Sequence, residues 1–373
     1  MRRASASLHL DSGRELRGGQ RQVLDLLCGL RQRGHRVLLC CPGAAPLFAA
    51  GTAAGVPCQA LTLRSGFDFP SAVRLARLVA GGDFDLVHAH DTASHGIARA
   101  AQGMSRHAAL RENLFVTCRS VSADPGPLER PRSDALGSHY IASSRRIRDL
   151  LLRRGADPAR VAVVPSGVDP ERLSPARARA LPDPWGLSAR GLRVLGTVAR
   201  LARDKNPALL VDAFARLRGR HPDTHLLLVG DGPLRRALEQ RVEQQQLSPH
   251  VTFAGHLDDV GPAYAAMQVF VVASESESSC SALLDAMSAG VPVVATACEG
   301  VLDLVRHGES ALVVPKRDAA VLAEAVGRIL EQPDLAARLV EGGLHLARQH
   351  SMEAVVEATL EVYSHVGASG AGG

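Results

Sequence analysis

Two acids eight positions apart, Glu277 and Asp285, bracket a run of small residues in Ser274-Glu-Ser-Glu-Ser-Ser-Cys-Ser-Ala-Leu-Leu-Asp285. An apolar helical pattern follows, Gly290 stops it, and residues 291–295 read as a buried strand. The spacing predicts a loop at a strand's end, a helix starting near 278–281, and then the next parallel strand. Eight helical steps separate the acids by at most roughly 12 Å along the axis. Between them lie the unpaired N–H groups and the positive end of the helix dipole. That arrangement suits an anion in the middle and hydroxyl groups at both ends. Ribose, diphosphate and hexose, joined as a nucleotide sugar, have that outline.

A second group of residues fits the anion. Of 43 basic residues only Lys205 and Lys316 are lysines, so Arg serves wherever a positive charge suffices and a retained Lys carries more weight. Lys205 falls in Gly196-Thr-Val-Ala-Arg-Leu-Ala-Arg-Asp-Lys205-Asn-Pro, just after an apolar strand. Arg200 and Lys205 therefore project from a loop at a strand's carboxyl end, where open α/β sheets bind ligands. A guanidinium fork with a compact ammonium makes a diphosphate clamp.

The elements that must position these groups alternate along the whole chain. Strands are predicted over 8–10, 37–41, 84–90, 114–118, 140–142 and 161–164, then over 193–198, 225–229, 251–254, 269–273, 291–295 and 311–314. Helical patterns lie between them, so the fold class is α/β, with two Rossmann-like doubly wound domains facing across a cleft. The expected division is 1–183 and 184–349, with residues 170–184, rich in Pro, Arg and Ala, as the linker. The last helix, about 350–366, is expected to pack back on the first domain, and 367–373 to be a disordered tail.

Composition narrows the rest. At 373 residues the chain is long enough for two cores, and at 3% aromatics those cores must be Leu, Val and Ala. No apolar run is long enough to span a membrane, and the first residues lack the apolar centre of a signal peptide. Seven Cys form no C-x-x-C pair and read as small buried hydrophobes in a reducing compartment. Residues 1–36 carry eight Arg against three acids. The expected setting is cytoplasmic, and this basic end fits three readings: peripheral contact with the inner, anionic face of a membrane, attraction of a phosphorylated acceptor, or solvated helix faces. The basic stretches lack interleaved aromatics, which argues against nucleic-acid binding.

Taken in order, several short motifs resemble the family 4 glycosyltransferases nearly end to end. They are Gly18-Gly19-Gln20 with Arg33-Gly34-His35, Val87-His88-Ala89-His90, Val164-Pro-Ser-Gly-Val-Asp169, the Arg200/Lys205 loop, Val229-Gly-Asp-Gly-Pro233, Phe253-Ala-Gly-His256 and the Glu277 to Ala295 segment. The acid pair is similar to that family's E-x7-E signature. The resemblance implies a GT-B fold and retaining transfer from a nucleoside diphosphate sugar to an acceptor hydroxyl, in glycan, glycolipid or cell-envelope saccharide synthesis. It implies that Glu277 holds donor sugar hydroxyls and that backbone N–H groups near Ser279, Cys280 and Ser281 touch sugar and phosphate. Asp285 would meet the ribose, and Arg200 and Lys205 the departing diphosphate. Gly19 and Gly230 would belong to the donor site, and His256 would lie beside the base. No metal or other cofactor is expected, since no Asp or His cluster at ligand spacing is visible.

This chain departs from the family pattern at informative places. The second acid is Asp, one methylene short. Ser278, Ser279 and Cys280 stand where glycines are usual. Cys118-Arg119-Ser120 stands where many members carry a His lining the reaction centre. His90, ending a predicted strand, is the candidate catalytic side chain in its place, with Asp91, Arg119, Glu15 and Arg17 as candidate acceptor contacts. The acceptor is expected to be a saccharide or a lipid-linked saccharide. Two other functions fit the same motifs: a sugar-nucleotide epimerase of this fold, and a nucleotide-sugar-binding partner of a transferase without turnover.

Overall fold

The computed structural model describes residues 5–119, 138–277 and 280–369. The chain divides into Met1–Ser166 with Met352–Gly373, and Gly167–Ser351. The first unit holds β1 (Ala6–Leu10), β2 (Arg36–Cys41), β3 (Cys58–Ala60), β4 (Leu86–Ala89), β5 (Leu114–Cys118), β6 (His139–Ala142) and β7 (Val161–Val163), in the order β3-β2-β1-β4-β5-β6-β7. The second holds β8 (Arg193–Val198), β9 (Thr224–Val229), β10 (Val251–Gly255), β11 (Val269–Val272), β12 (Val293–Thr296) and β13 (Leu312–Val314), in the order β10-β9-β8-β11-β12-β13. Every pairing is parallel.

The strand sequences explain why both faces of the second sheet are covered. Leu226 and Leu228 point into one apolar cluster, while Leu227 and Val229 point into the other. Val269 and Val271 oppose Phe270 and Val272 in the same way. Strands buried on both sides read as apolar runs, which is why β9, β11 and β12 were visible in sequence, whereas β10, at the sheet edge, is half-buried throughout.

The first sheet is less uniform. Leu8, Leu10, Val87 and Leu114 line one apolar face. On the other face β1 and β4 set Ser7, His9, His88 and His90 side by side, each almost wholly buried. The amphipathic helix Gly18–Gln32 adds Val23, Leu24, Leu27 and Leu30, which cluster with Met352 and Val356 of the terminal helix Met352–Ser369. Side-chain caps start the helices that follow β3 and β4: Asp68 accepts from the Ser71 amide, and Asp91 from the Ser94 amide.

Three expectations need correction. The chain divides between Ser166 and Gly167 rather than at 183. The expected linker is instead part of the second unit, because Leu173 and Ala178 are buried in its core and helix Pro175–Arg179 crosses it. The terminal helix groups with the first unit and runs to Ser369, past the expected end at 366. Strand β3 was not anticipated; at three residues, with two exposed, it shows no apolar run.

The seat of the terminal helix is testable at Gly29, where a Cβ would lie 2.5 Å from Cγ2 of Val356. Val356 is buried, so making room for that Cβ moves a packed side chain. Gly29→Ala should cost about 1–3 kcal/mol in urea unfolding. An unchanged midpoint would mean that the helix does not seat there.

Candidate active site

In the second unit the parallel order brings four loops to one sheet edge, after β8, β9, β10 and β11. The first and last of these are tied together. Glu275 donates its amide to the Asp204 carbonyl (2.8 Å), and the Asn206 side chain donates to Glu275 Oε1 (3.0 Å). Asn206 takes a left-handed φ of 43° and caps helix Pro207–Arg218. Asn tolerates that conformation better than most residues, so it turns the chain sharply just after Lys205.

The result is a direct ion pair: Lys205 Nζ donates to Glu277 Oε1 at 2.7 Å, and the Ser274 hydroxyl donates to the same oxygen at 2.6 Å. Thr296 in turn donates to the Ser274 carbonyl (2.6 Å). A Cβ on Gly300 would collide with the Glu277 carbonyl, so only glycine lets that loop close. Both charged side chains are mostly covered, at 24% and 12% exposure. Desolvation at such a site offsets much of the Coulomb gain, so the pair is one that an incoming ligand can re-partner. Arg200 is half-exposed and, among the described residues, pairs with Asp204 at 3.3 Å.

Asp285 lies within helix Ser281–Ser288 and accepts from Arg172 Nη2 at 3.1 Å. Arg172 was not foreseen, since its segment read as linker. A turn presents it, in which Asp169 Oδ1 accepts from the amides of Glu171 and Arg172, and Ser288 donates to the Pro170 carbonyl. Cys280 precedes this helix with φ 47° and is buried; burial, with Glu277 nearby, pushes its thiol well up, so it stays protonated. Ser281 is the first helical residue, whereas Ser278 and Ser279 lie outside the described residues. Gly230 has φ 123°, and a Cβ there would strike the Ala199 carbonyl, so its first requirement is steric. His256 is exposed and 3.8 Å from Asp258.

The first unit gathers the remaining candidates at the carboxyl ends of β1, β4 and β5. His9 Nδ1 and His90 Nε2 share a hydrogen bond of 3.0 Å, and His9 Nε2 bonds the Ser7 hydroxyl. His88 bonds Thr117 and, at 2.6 Å, the hydroxyl of Tyr363 on the terminal helix. His90 Nδ1 is buried without a partner among the described residues. It borders a cavity of about 40 Å³ lined also by His88, Thr117 and Arg119. Arg119 donates to the His90 carbonyl (3.0 Å), and a Cβ on Gly19 would sit 3.8 Å from it.

Asp91 accepts from the amides and hydroxyls of both Ser12 and Ser94, so its carboxylate is committed to holding two loops. Asp11, also unforeseen, is buried and accepts from the Gly13 amide and Gln20; burial, with Asp91 nearby, raises its pKa. Glu15 and Arg17 form an exposed pair with each other at 2.6 Å. His9, His88 and His90 are the three-residue grouping at ligand-like spacing among the described residues, with nitrogens within 4.8 Å. Their bonds to Ser7, Thr117, Tyr363 and one another already use most of those nitrogens.

Comparison with known proteins shows the family. Residues 16–172 fit the family model described as Glycosyltransferase Family 4, and 192–332 that of Glycosyl transferases group 1. The D-inositol 3-phosphate glycosyltransferase of Salinispora arenicola is 30% identical over 314 residues, covering 76% of this chain and 69% of the relative. The chain belongs to the family 4 glycosyltransferases. Another relative, the phosphatidyl-myo-inositol mannosyltransferase of Mycobacterium tuberculosis (strain ATCC 25618 / H37Rv), is 29% identical over 369 residues, covering 95% of this chain and 94% of the relative. The crystal structure of Anabaena HepE with UDP and glucose superposes with a TM-score of 0.84 at 20% identity, covering 96% and 99% of the two chains. That similarity shows the shared GT-B fold of two Rossmann-like units. Among the described residues of this glycosyltransferase, no helix is long and apolar enough to cross a membrane.

The buried imidazoles make stability depend on pH. Burial lowers His9 from 6.5 to about 3 and holds His88 and His90 well below their usual value. All three are neutral in the folded chain, while the unfolded chain protonates them as pH falls below 6.5. Stability is therefore full above that value and declines as pH falls below 6.5, His9 contributing up to about 1.4 kcal/mol per pH unit down to about 3 and His88 and His90 acting in the same direction. Urea midpoints should drop across this range, and His9→Gln should make the decline shallower. A variant with an unaltered slope would show that His9 titrates normally.

Proposed function

We propose that this glycosyltransferase moves a sugar, with retention, from a nucleoside diphosphate sugar to a hydroxyl of a saccharide or lipid-linked acceptor, without a resident metal or other cofactor. The observation that carries the reading is the Lys205–Glu277 pair at the carboxyl edge of β8 and β11. Separating the two on donor binding would free Lys205 for the diphosphate and Glu277 for the sugar hydroxyls. Arg200 would share the charge that develops on the leaving phosphate, the main electrostatic task in such a transfer. Asp285 would meet the ribose, and His90 Nδ1 the acceptor. The leaving phosphate itself would take the acceptor proton on the front face of the sugar. The names of the inositol-directed relatives support a polyol or glycolipid acceptor, and the UDP and UDP-glucose complexes of HepE support a UDP-sugar donor. A cytoplasmic setting, peripheral to a membrane, is part of the same proposal.

Lys205→Ala should lower kcat by about 10²–10³-fold, far more than the lowered melting temperature accounts for, since Glu277 is left mostly covered without its cation. Near-normal turnover in the folded variant would remove Lys205 from the diphosphate clamp. Asp285→Asn should weaken free nucleotide binding by about tenfold, read by calorimetry with UDP, GDP and ADP. Undiminished affinity would take Asp285 out of the ribose site. The same titrations repeated in EDTA should give unchanged heats, and loss of binding would reveal a required metal. Product NMR decides retention.

A further inference from the structure

His90 is held at every polar atom but one. Its amide donates to the Leu10 carbonyl (2.9 Å), its carbonyl accepts from Arg119 (3.0 Å), and its Nε2 shares a hydrogen bond of 3.0 Å with His9 Nδ1. The His88 ring packs against it, with 4.1 Å between centroids. Nδ1 alone has no partner among the described residues. An unmatched buried acceptor or donor costs stability, so its retention asks what fills it. Nδ1 borders a cavity of about 40 Å³, more than the roughly 10–15 Å³ that one water needs. Gln22, Arg119, Ser166 and Thr359 line that cavity beside Leu26 and Val355, a wall suited to a hydroxyl-bearing ligand.

What Nδ1 offers to such a ligand is decided at the far end of a buried chain of bonds. Ser7 and His9 stand two residues apart in β1 and so share one face of it. Burial keeps His9 and His90 neutral, so each ring has one N–H donor and one bare acceptor nitrogen. The Ser7 hydroxyl donates to the Arg36 carbonyl (3.5 Å), which can only accept. With its hydrogen so placed, Ser7 Oγ accepts from His9 Nε2–H at 2.8 Å. His9 Nδ1 is then bare and accepts from His90 Nε2–H. His90 Nδ1 is in consequence the bare nitrogen of its own ring. It can accept a hydrogen bond and cannot give one. Ser7, His9 and His90 are all almost wholly buried, so water does not compete for these bonds.

We propose that Ser7 and His9 are positioning residues for the acceptor: they hold His90 in the tautomer whose bare Nδ1 accepts a hydrogen bond from an acceptor hydroxyl entering this cavity. The inference rests on the transfer reading above and narrows it. The hydroxyl held by His90 keeps its proton, so His90 orients the acceptor and is not its base. A group that lacks a hydrogen to give, such as an ether at that position, would leave Nδ1 unmatched and be rejected.

Nitrogen-15 spectra of the full chain with labelled histidine rings, taken at neutral pH, test the proposal. His90, assigned by the signals lost in His90→Gln, should show a protonated Nε2 and a bare Nδ1. Saturation with myo-inositol or with methyl α-glucoside, one polyol and one saccharide, should move the Nδ1 resonance towards that of a hydrogen-bonded acceptor. Ser7→Ala takes away the acceptor for His9 Nε2–H, so the His9 ring should move its proton to Nδ1 and His90 should follow. The bound probe should then lose affinity by about tenfold. Ser7→Thr, which keeps the hydroxyl, should retain the wild-type tautomer and affinity, a rescue that a merely structural Ser7 would not show. The proposal is overturned if free His90 carries its proton on Nδ1, or if neither probe moves that resonance. It is equally overturned if folded Ser7→Ala keeps the wild-type tautomer and affinity. None of these readouts needs turnover. A protein that transfers no sugar yet binds a probe through His90 removes the transfer reading alone, and an active enzyme with an unmoved His90 removes this inference alone.

Discussion

Parallel strand pairing is the constraint on which everything else in this molecule rests. Because all strands of a sheet run the same way, their carboxyl ends share one edge, and the loops that leave them meet there. Residues as distant in sequence as Arg200, Gly230, His256 and Glu277 thereby reach a common edge in the second unit. The same rule delivers His9, His90 and Arg119 to one edge of the first. Parallel strands also need covering on both faces, which commits most of the chain's Leu, Val and Ala to burial and leaves chemistry to the loops.

Within that frame the second unit trades stability for availability. Lys205 and Glu277 neutralise each other in a mostly covered setting, with Ser274, Thr296 and Gly300 fixing the loop around them. Arg172 and Asp285 repeat the arrangement at the far end of the same helix. In each case a cation and an anion that would both be useful to a charged, hydroxyl-rich ligand are held ready by one another. The cost of desolvating them has already been met in folding, so a ligand exchanges partners without having to strip water from bare charges.

What could be read from the sequence follows the strength of local signals. Strands β9, β11 and β12 were legible because apolar runs leave few alternatives, and Glu277, Asp285 and Lys205 stood out by spacing and rarity. Arg172 was not legible: in a chain that uses Arg almost everywhere, one more beside prolines carries no local mark, and only the turn at Asp169 aims it at Asp285. The imidazole cluster was half legible. His88-x-His90 alternates as a strand requires, but His9 joins it only through the β1–β4 register. The division at Ser166 was hidden because Leu173 and Ala178 sit among prolines and arginines without a helical period. The direct Lys205–Glu277 contact likewise depends on a left-handed turn at Asn206 that composition does not announce.

The terminal helix has a consequence for how the chain is made. The first unit needs Val356 against Gly29 and the hydroxyl of Tyr363 on His88, yet these arrive only after the whole second unit has left the ribosome. At ordinary synthesis speeds that delay is roughly 10–40 s. During it the contiguous second unit can complete its core, whereas the first must wait with the stripe of Val23, Leu27 and Leu30 lacking part of its cover. The nascent protein therefore assembles from the middle outwards, and its amino-terminal half is the part that a chaperone would be called upon to shield.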